Sequence, residues 1–193
     1  MKKIQFLAFI CVAFQMNGLC QLNKGTWMVG GSGSFSSSNY NINSTANNKT
    51  SSFALSATVG YFILPGFPIG IRSVYQSEKQ TYRDASGTTG SGISNFLSVG
   101  PFVRYYFLPK TDRLVNLFAE ANYSFGNAKP DITTNTYHFN RYSLLAGPVI
   151  YFNSSVGIEF TLGYFHDKPT DGRNATSGFQ TGLGFQIHLE KNK

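Results

Sequence analysis

In the stretch SSVGIEFTLGYF, residues 154 to 165, Val156, Ile158, Phe160, Leu162 and Tyr164 hold one parity while Gly157, Glu159, Thr161 and Gly163 hold the other. Successive side chains of an extended strand point to opposite faces, so this period of two predicts a strand with one apolar face and one small or polar face. Glu159 then lies across a wall from its apolar neighbours.

The same alternation recurs along the chain and predicts eight wall segments, at 25–36, 53–63, 67–77, 93–107, 114–125, 141–152, 154–165 and 179–189. Their apolar parities include Trp27, Val29 and Phe35 in the first, and Phe53, Leu55, Val59 and Tyr61 in the second. Ile69, Ile71 and Tyr75 follow in the third, and Leu97, Val99, Val103, Tyr105 and Phe107 in the fourth. The last segment closes the series with Phe179, Leu183, Phe185, Ile187 and Leu189. Segments of this length match the roughly 9–11 residues of a tilted transmembrane strand. Aromatic residues gather at both ends of the segments: Tyr61, Phe107 and Phe152 at one, and Phe35, Phe53, Tyr75, Tyr123, Tyr164 and Phe179 at the other. Two such girdles mark the two interfaces of a membrane.

The opposite parity carries the charges of the strand cores: Arg72, Arg104, Glu120, Arg141 and Glu159, set among glycine, serine, threonine, Gln76, Asn122, Gln180, Gln186 and His188. Three arginines and two glutamates from five strands compensate one another if they face a narrow lumen, because buried charges need partners. These five residues are therefore expected to form a structural charge network inside a barrel.

Composition narrows the class. Charged residues make up 13% of the chain, against about 25% in an ordinary soluble protein. Outside the N-terminus no apolar run reaches the roughly 20 residues of a spanning helix, and the alternative that satisfies every backbone group in lipid is a closed β-barrel. The expected fold is thus all-β, an eight-stranded antiparallel up-and-down transmembrane barrel.

The chain opens MKKIQFLAFICVAFQMNGLC, two lysines followed by an apolar run from Ile4 to Phe14 and small residues at Gly18 and Cys20. This is the layout of a secretory signal peptide, so residues 1–20 are read as an export signal and 21–193 as the barrel domain. Both cysteines, Cys11 and Cys20, lie within the signal, which leaves the barrel without a disulfide or a thiol ligand. Without Lys2 and Lys3 the formal charge falls from +7 to +5. The loop charges, Asp167 and Lys168 among them, are nearly balanced and read as solvated surface. No basic stripe interleaved with aromatics points to nucleic acid, and no cofactor is expected.

The connections alternate between long and short. Long polar stretches at 36–52, 78–92, 126–137 and 166–178 are separated by the short LPG, LPKTD and NSS. Outer-membrane barrels have long external loops and short periplasmic turns, which sets the orientation. The four long stretches are the candidate sites for an extracellular ligand, since binding residues concentrate on loops held by a rigid scaffold.

Taken together, GTWMVGGSGSFS after the signal, the alternating connections and the closing strand FQTGLGFQIHL give a chain that resembles the small outer-membrane β-barrel family of the OmpA and OmpX type. The resemblance covers the chain from residue 21 onward. It implies location in the bacterial outer membrane, contact with membrane lipid and lipopolysaccharide, insertion by the barrel-assembly machinery, and a non-enzymatic role in envelope integrity or surface binding. Family members often end on a terminal aromatic; here the alternation runs to Leu189 and the chain continues through EKNK.

Two alternatives share the alternation. A secreted lipocalin-like barrel would turn its apolar parity inward around a ligand. A lipid A-modifying barrel would need a serine within reach of a histidine that an acidic group orients. The deacylase type carries histidine and serine two apart, but Asn140 follows His138 and Lys168 follows His166 at that spacing, so no catalytic residue is assigned.

Overall fold

The structure is a computed structural model that describes residues 22–41, 47–83, 88–108, 114–131, 136–153, 155–172 and 174–189. Residues 1–20, expected to be an export signal, lie outside the described residues. Eight strands, β1 (Trp27–Asn41), β2 (Asn47–Leu64), β3 (Phe67–Arg83), β4 (Thr89–Tyr106), β5 (Val115–Pro130), β6 (Tyr137–Tyr151), β7 (Val156–Pro169) and β8 (Thr176–Leu189), follow one another in chain order. Each pairs antiparallel with its neighbour, and β8 returns to β1 to close the barrel.

The predicted parities decide which way each strand faces. Val59, Ile71, Leu97, Val103, Leu117, Leu144, Leu162 and Leu183 are all exposed on the outer wall, while Arg72, Arg104, Glu120, Arg141 and Glu159 are buried inside. A lipocalin-like arrangement requires the reverse. From Phe53 to Tyr61 on β2, and from Leu97 to Phe107 beside β4, the outer apolar belt is roughly 19–23 Å tall at a strand tilt of about 45°, close to the ~25 Å band of a membrane barrel. Aromatic pairs fix its edges: Trp27 with Tyr61 at 5.1 Å and Tyr105 with Phe107 at 5.2 Å on the turn side, and Tyr123 with Tyr142 at 4.9 Å and Tyr164 with Phe179 at 5.7 Å on the loop side.

The strands run well past this belt. β1 and β2 stay in register up to Asn41↔Asn47, and β3 and β4 up to Arg83↔Thr89. Most of 36–52, 78–92, 126–137 and 166–178, expected as loops, is therefore paired hairpin. These residues are polar on both faces, because a hairpin that projects past the apolar belt has no apolar side to present, and the alternation fades with it. At about 3.3 Å per residue the 18 residues of β4 rise about 40 Å along the tilted wall, so the loop end projects beyond the girdle.

Two prolines interrupt the ladder where glycines let strands approach. Pairing of β4 with β5 skips Gly100 and Pro101 between Val99↔Phe125 and Phe102↔Asn122. Pairing of β6 with β7 skips Gly147 and Pro148 between Ala146↔Leu162 and Val149↔Glu159. Proline has no N–H to donate, so it sits where a ladder bond is already missing. A Cβ on Gly100 would collide with the Tyr123 carbonyl, and one on Gly147 with that of Phe160.

A third irregularity lies at the closing seam. β1 pairs with β8 only from Trp27↔Leu189 to Gly33↔Leu183, whereas its pairing with β2 continues to Asn41. Toward the loop end the two strands separate.

Candidate functional site

The lumen is built in three tiers. At the turn end, Met28, Phe62, Phe102, Tyr106, Phe118, Val149 and Tyr151 fill it, with Leu22 from the segment before β1. That segment is tied across the barrel mouth: Gly66 N–H donates to the Leu22 carbonyl at 2.8 Å and Gly25 N–H to the Phe62 carbonyl at 2.9 Å. Gly66 takes φ +71°, a conformation open to glycine and strained for other residues, and so makes the tight β2–β3 turn. An eight-stranded barrel leaves just enough interior for side chains to fill, and at this end the rings bury one another. His188 is enclosed in this plug, its ring 5.3 Å from Phe62 and 5.7 Å from Tyr151. Neither of its ring nitrogens has a hydrogen-bond partner.

Above the plug is the charge tier. Glu120 on β5 accepts from Arg72 Nε at 2.8 Å and from Arg104 Nε at 2.8 Å. Arg104 Nη1 also donates to Glu159 at 2.8 Å and to Gln186 Oε1 at 3.0 Å. Tyr106 OH donates to Gln186 Oε1 at 2.6 Å, and Gln186 Nε2 donates to Tyr151 OH at 2.8 Å, which ties the charges to the plug. The Arg104 guanidinium lies 4.1 Å from the Phe118 ring centroid, a cation–π placement. Two arginines and two glutamates leave the tier formally neutral. Buried charge is tolerated when each ion has both an opposite charge and hydrogen bonds, and the β-register supplies both by facing Arg104 to Glu120 across the β4–β5 ladder.

Four of the five residues expected in the network, Arg72, Arg104, Glu120 and Glu159, thus meet in one cluster. The fifth, Arg141, does not join it. Its Nε and Nη2 donate to Asp167 Oδ1 and Oδ2 at 2.6 and 2.7 Å, nearer the loop end. Asp167, counted among the solvated loop charges, is instead a luminal partner, because β7 continues to Pro169 and carries it inward. The aromatic plug is likewise absent from the sequence reading. In PFVRYYF, residues 101–107, the inner parity holds Phe102 and Tyr106 on either side of Arg104, so the charge marks that face as polar and masks the two rings that fill it.

The third tier is a cavity of about 350 Å³ toward the loop end, lined by Ser32, Ser52, Ser56, Gln76, Ser143, Thr161 and Gln180 among others. Arg72 forms part of its floor: its Nη1 donates to Ser56 Oγ at 3.3 Å.

One contact bears on catalysis. His166 Nδ1 lies 2.7 Å from Ser177 Oγ, across β7 and β8. Asp167, next in the chain, faces the lumen and binds Arg141 through both oxygens, so it does not orient His166 as a nucleophilic triad requires. His138 Nδ1 is 2.6 Å from Asn127 Oδ1. Among the described residues no three His, Cys, Asp or Glu side chains converge as metal ligands.

No family model matches the sequence, and no curated protein matches it. Solved structures do. The outer membrane protein OprG from Pseudomonas aeruginosa is similar at a TM-score of 0.59 and 11% identity, over 92% of this chain and 100% of that one. Neisserial surface protein A (NspA) is similar at 0.49 and 19% identity, over 84% and 94%, and the N-terminal β-barrel domain of Pseudomonas aeruginosa OprF at 0.46 and 13%, over 86% and 98%. At these identities the likeness concerns fold, and the OprG match carries it: the chain has the closed eight-stranded antiparallel architecture of a small outer-membrane β-barrel.

Proposed function

We propose that this chain is an integral protein of a bacterial outer membrane, held in lipid by its apolar belt, sealed to solute flow by its plug and charge tier, and working without catalysis. It serves envelope integrity or surface binding, with the loop end outward and the turns in the periplasm. Membrane lipid and lipopolysaccharide surround it, and the barrel-assembly machinery inserts it. The observation that carries this reading is the radial inversion of the molecule. Leu97, Leu144 and Leu162 are 54–63% exposed on the outer wall, while Arg104 and Glu120 are 2–3% exposed within. Water would not sustain that arrangement over a belt between two aromatic girdles, because exposed apolar patches of such extent mark a membrane or an interface.

The test is a gel run with and without boiling, on protein refolded in detergent or vesicles and on a lipid-free control. A heat-dependent mobility shift that appears only with detergent or lipid is expected. A soluble monomer that folds without either would remove the membrane assignment.

A further inference from the structure

The loop-side cavity is walled differently from the rest of the lumen. Its lining combines inward residues such as Ser34, Ser52, Gln76, Thr161 and Gln180 with Phe35, Leu55 and Phe179, which stand on the outer face. Side chains from both faces of a wall can line one cavity where the wall is open, and the register says where. β1 and β8 are unpaired beyond Gly33↔Leu183. Continuing that register would face Phe35 to Thr181, but no such pair forms. The exposure agrees: Phe179 at 81% and Phe35 at 72% are more open than Leu183, at 53%, just below the split. The gap lies beside the Tyr164–Phe179 contact of the loop-side girdle, at the level where lipid headgroups meet acyl chains.

The chemistry inside specifies what would fit. Both arginines of the cavity are already bound to carboxylates, Arg72 to Glu120 and Arg141 to Asp167, while Glu78, which accepts from the neutral Gln80 at 2.7 Å in an exposed setting, keeps a negative charge that disfavours an anionic head and can accept from hydroxyls. The remaining polar groups of the walls are hydroxyl and carboxamide, set beside Val74, Leu145 and Phe165. A volume of about 350 Å³ lies at the low end of small-molecule sites, roughly 300–1,000 Å³, and is the size of a headgroup rather than a whole lipid. Outside the gap, Phe35, Leu55 and Phe179 offer an apolar track. Resting on the membrane reading above, we infer that the cavity is a binding site for a single-chain amphiphile with an uncharged, hydroxyl-rich head, which enters sideways between β1 and β8 and leaves its chain in the outer leaflet.

Two measurements test this in phosphatidylcholine vesicles, with heat-modifiable migration confirming that each variant is an inserted barrel. The first uses chains with Cys11→Ser and Cys20→Ser. A Val29→Cys, Ile187→Cys pair should oxidise readily, since these residues are paired, whereas a Phe35→Cys, Thr181→Cys pair should stay reduced because a disulfide needs Cα atoms within about 7 Å. The second places a single tryptophan at the gap (Trp27→Phe, Phe179→Trp) or on the far wall (Trp27→Phe, Leu117→Trp) and adds an alkyl glucoside brominated on its chain. Saturable quenching at the gap is expected at a concentration on the order of tenfold below that needed at the far wall, with no such preference for an alkyl phosphocholine of equal chain length. Equal oxidation of the two cysteine pairs would overturn the side opening. Identical quenching curves at the two tryptophans would overturn the site, and an equal preference for the phosphocholine would overturn the head assignment. A variant set that never inserts into vesicles would instead overturn the membrane reading on which the inference rests.

Discussion

Arg104 and Glu120 face each other across the β4–β5 ladder with Nε 2.8 Å from Oε2, their side chains 1% and 0% exposed. Because Glu120 also holds Arg72, it is, among the described residues, the carboxylate shared by two buried guanidinium groups. Removing one partner of a buried ion pair leaves an uncompensated charge and costs about 3–5 kcal/mol. Glu120→Ala is therefore expected to lower the barrel's unfolding free energy by about that amount, measured as the urea midpoint in vesicles. Arg141→Ala, whose bridge to Asp167 is less deeply buried, with side chains 9% and 17% exposed, should cost less, about 1.5–3 kcal/mol. Equal losses would mean that the two bridges do not differ in burial as described.

His188 should behave in the opposite sense. Its buried ring has two polar nitrogens without a partner, and an unsatisfied buried group costs about 1–3 kcal/mol. His188→Leu is expected to hold or raise the urea midpoint, by up to about 1 kcal/mol once the lost ring contacts with Phe62 and Tyr151 are offset. A drop of several kcal/mol would show that the imidazole has a partner which the packing of the plug conceals.

The glycines next to Pro101 and Pro148, at the ladder breaks, should be intolerant. A Cβ at Gly147 would meet backbone of Phe160, and one at Gly100 backbone of Tyr123. Gly147→Ala and Gly100→Ala are expected to reduce the heat-modifiable fraction sharply. Gly33→Ala, whose Cβ would lie 3.7 Å from Leu55 Cδ2, should fold like the parent. Similar yields from all three would contradict the close approach at the ladder breaks.

What was legible in the sequence, and what was not, follows from this geometry. Where one face forms the apolar outer wall, as at Leu55, Val59, Ile69 and Ile71, alternation declares the strand and its outward side. Where aromatic rings share the inner parity with a charge, as Phe102 and Tyr106 do with Arg104, it cannot reveal that the two rings plug the lumen. Where both parities are polar, as in EKQTYRDASGTTGSG at 78–92, a paired hairpin in water reads as a loop. The inner charges were recognisable one by one, but partner choice depends on register. Arg141 meets Asp167 because β6 and β7 place them opposite each other, and no spacing along the chain encodes that.

The plug and charge tier should also make the barrel electrically silent. In a planar bilayer, protein shown to be heat-modifiable is expected to give no discrete conductance steps, because Phe62, Phe102, Tyr106 and Phe118 are at most 2% exposed and fill the turn end. Reproducible single-channel steps would contradict a sealed lumen.

The outer wall can be examined most directly with single tryptophans at Leu55, Val99 and Leu162, each in a Trp27→Phe background, in vesicles of phosphatidylcholine brominated deep in its acyl chains. Strong quenching at all three positions, with heat-modifiable migration retained, is the expected result, because these side chains point from the barrel into hydrocarbon. Unquenched emission from protein that stays folded and soluble without lipid would contradict the membrane-facing wall on which every other conclusion depends.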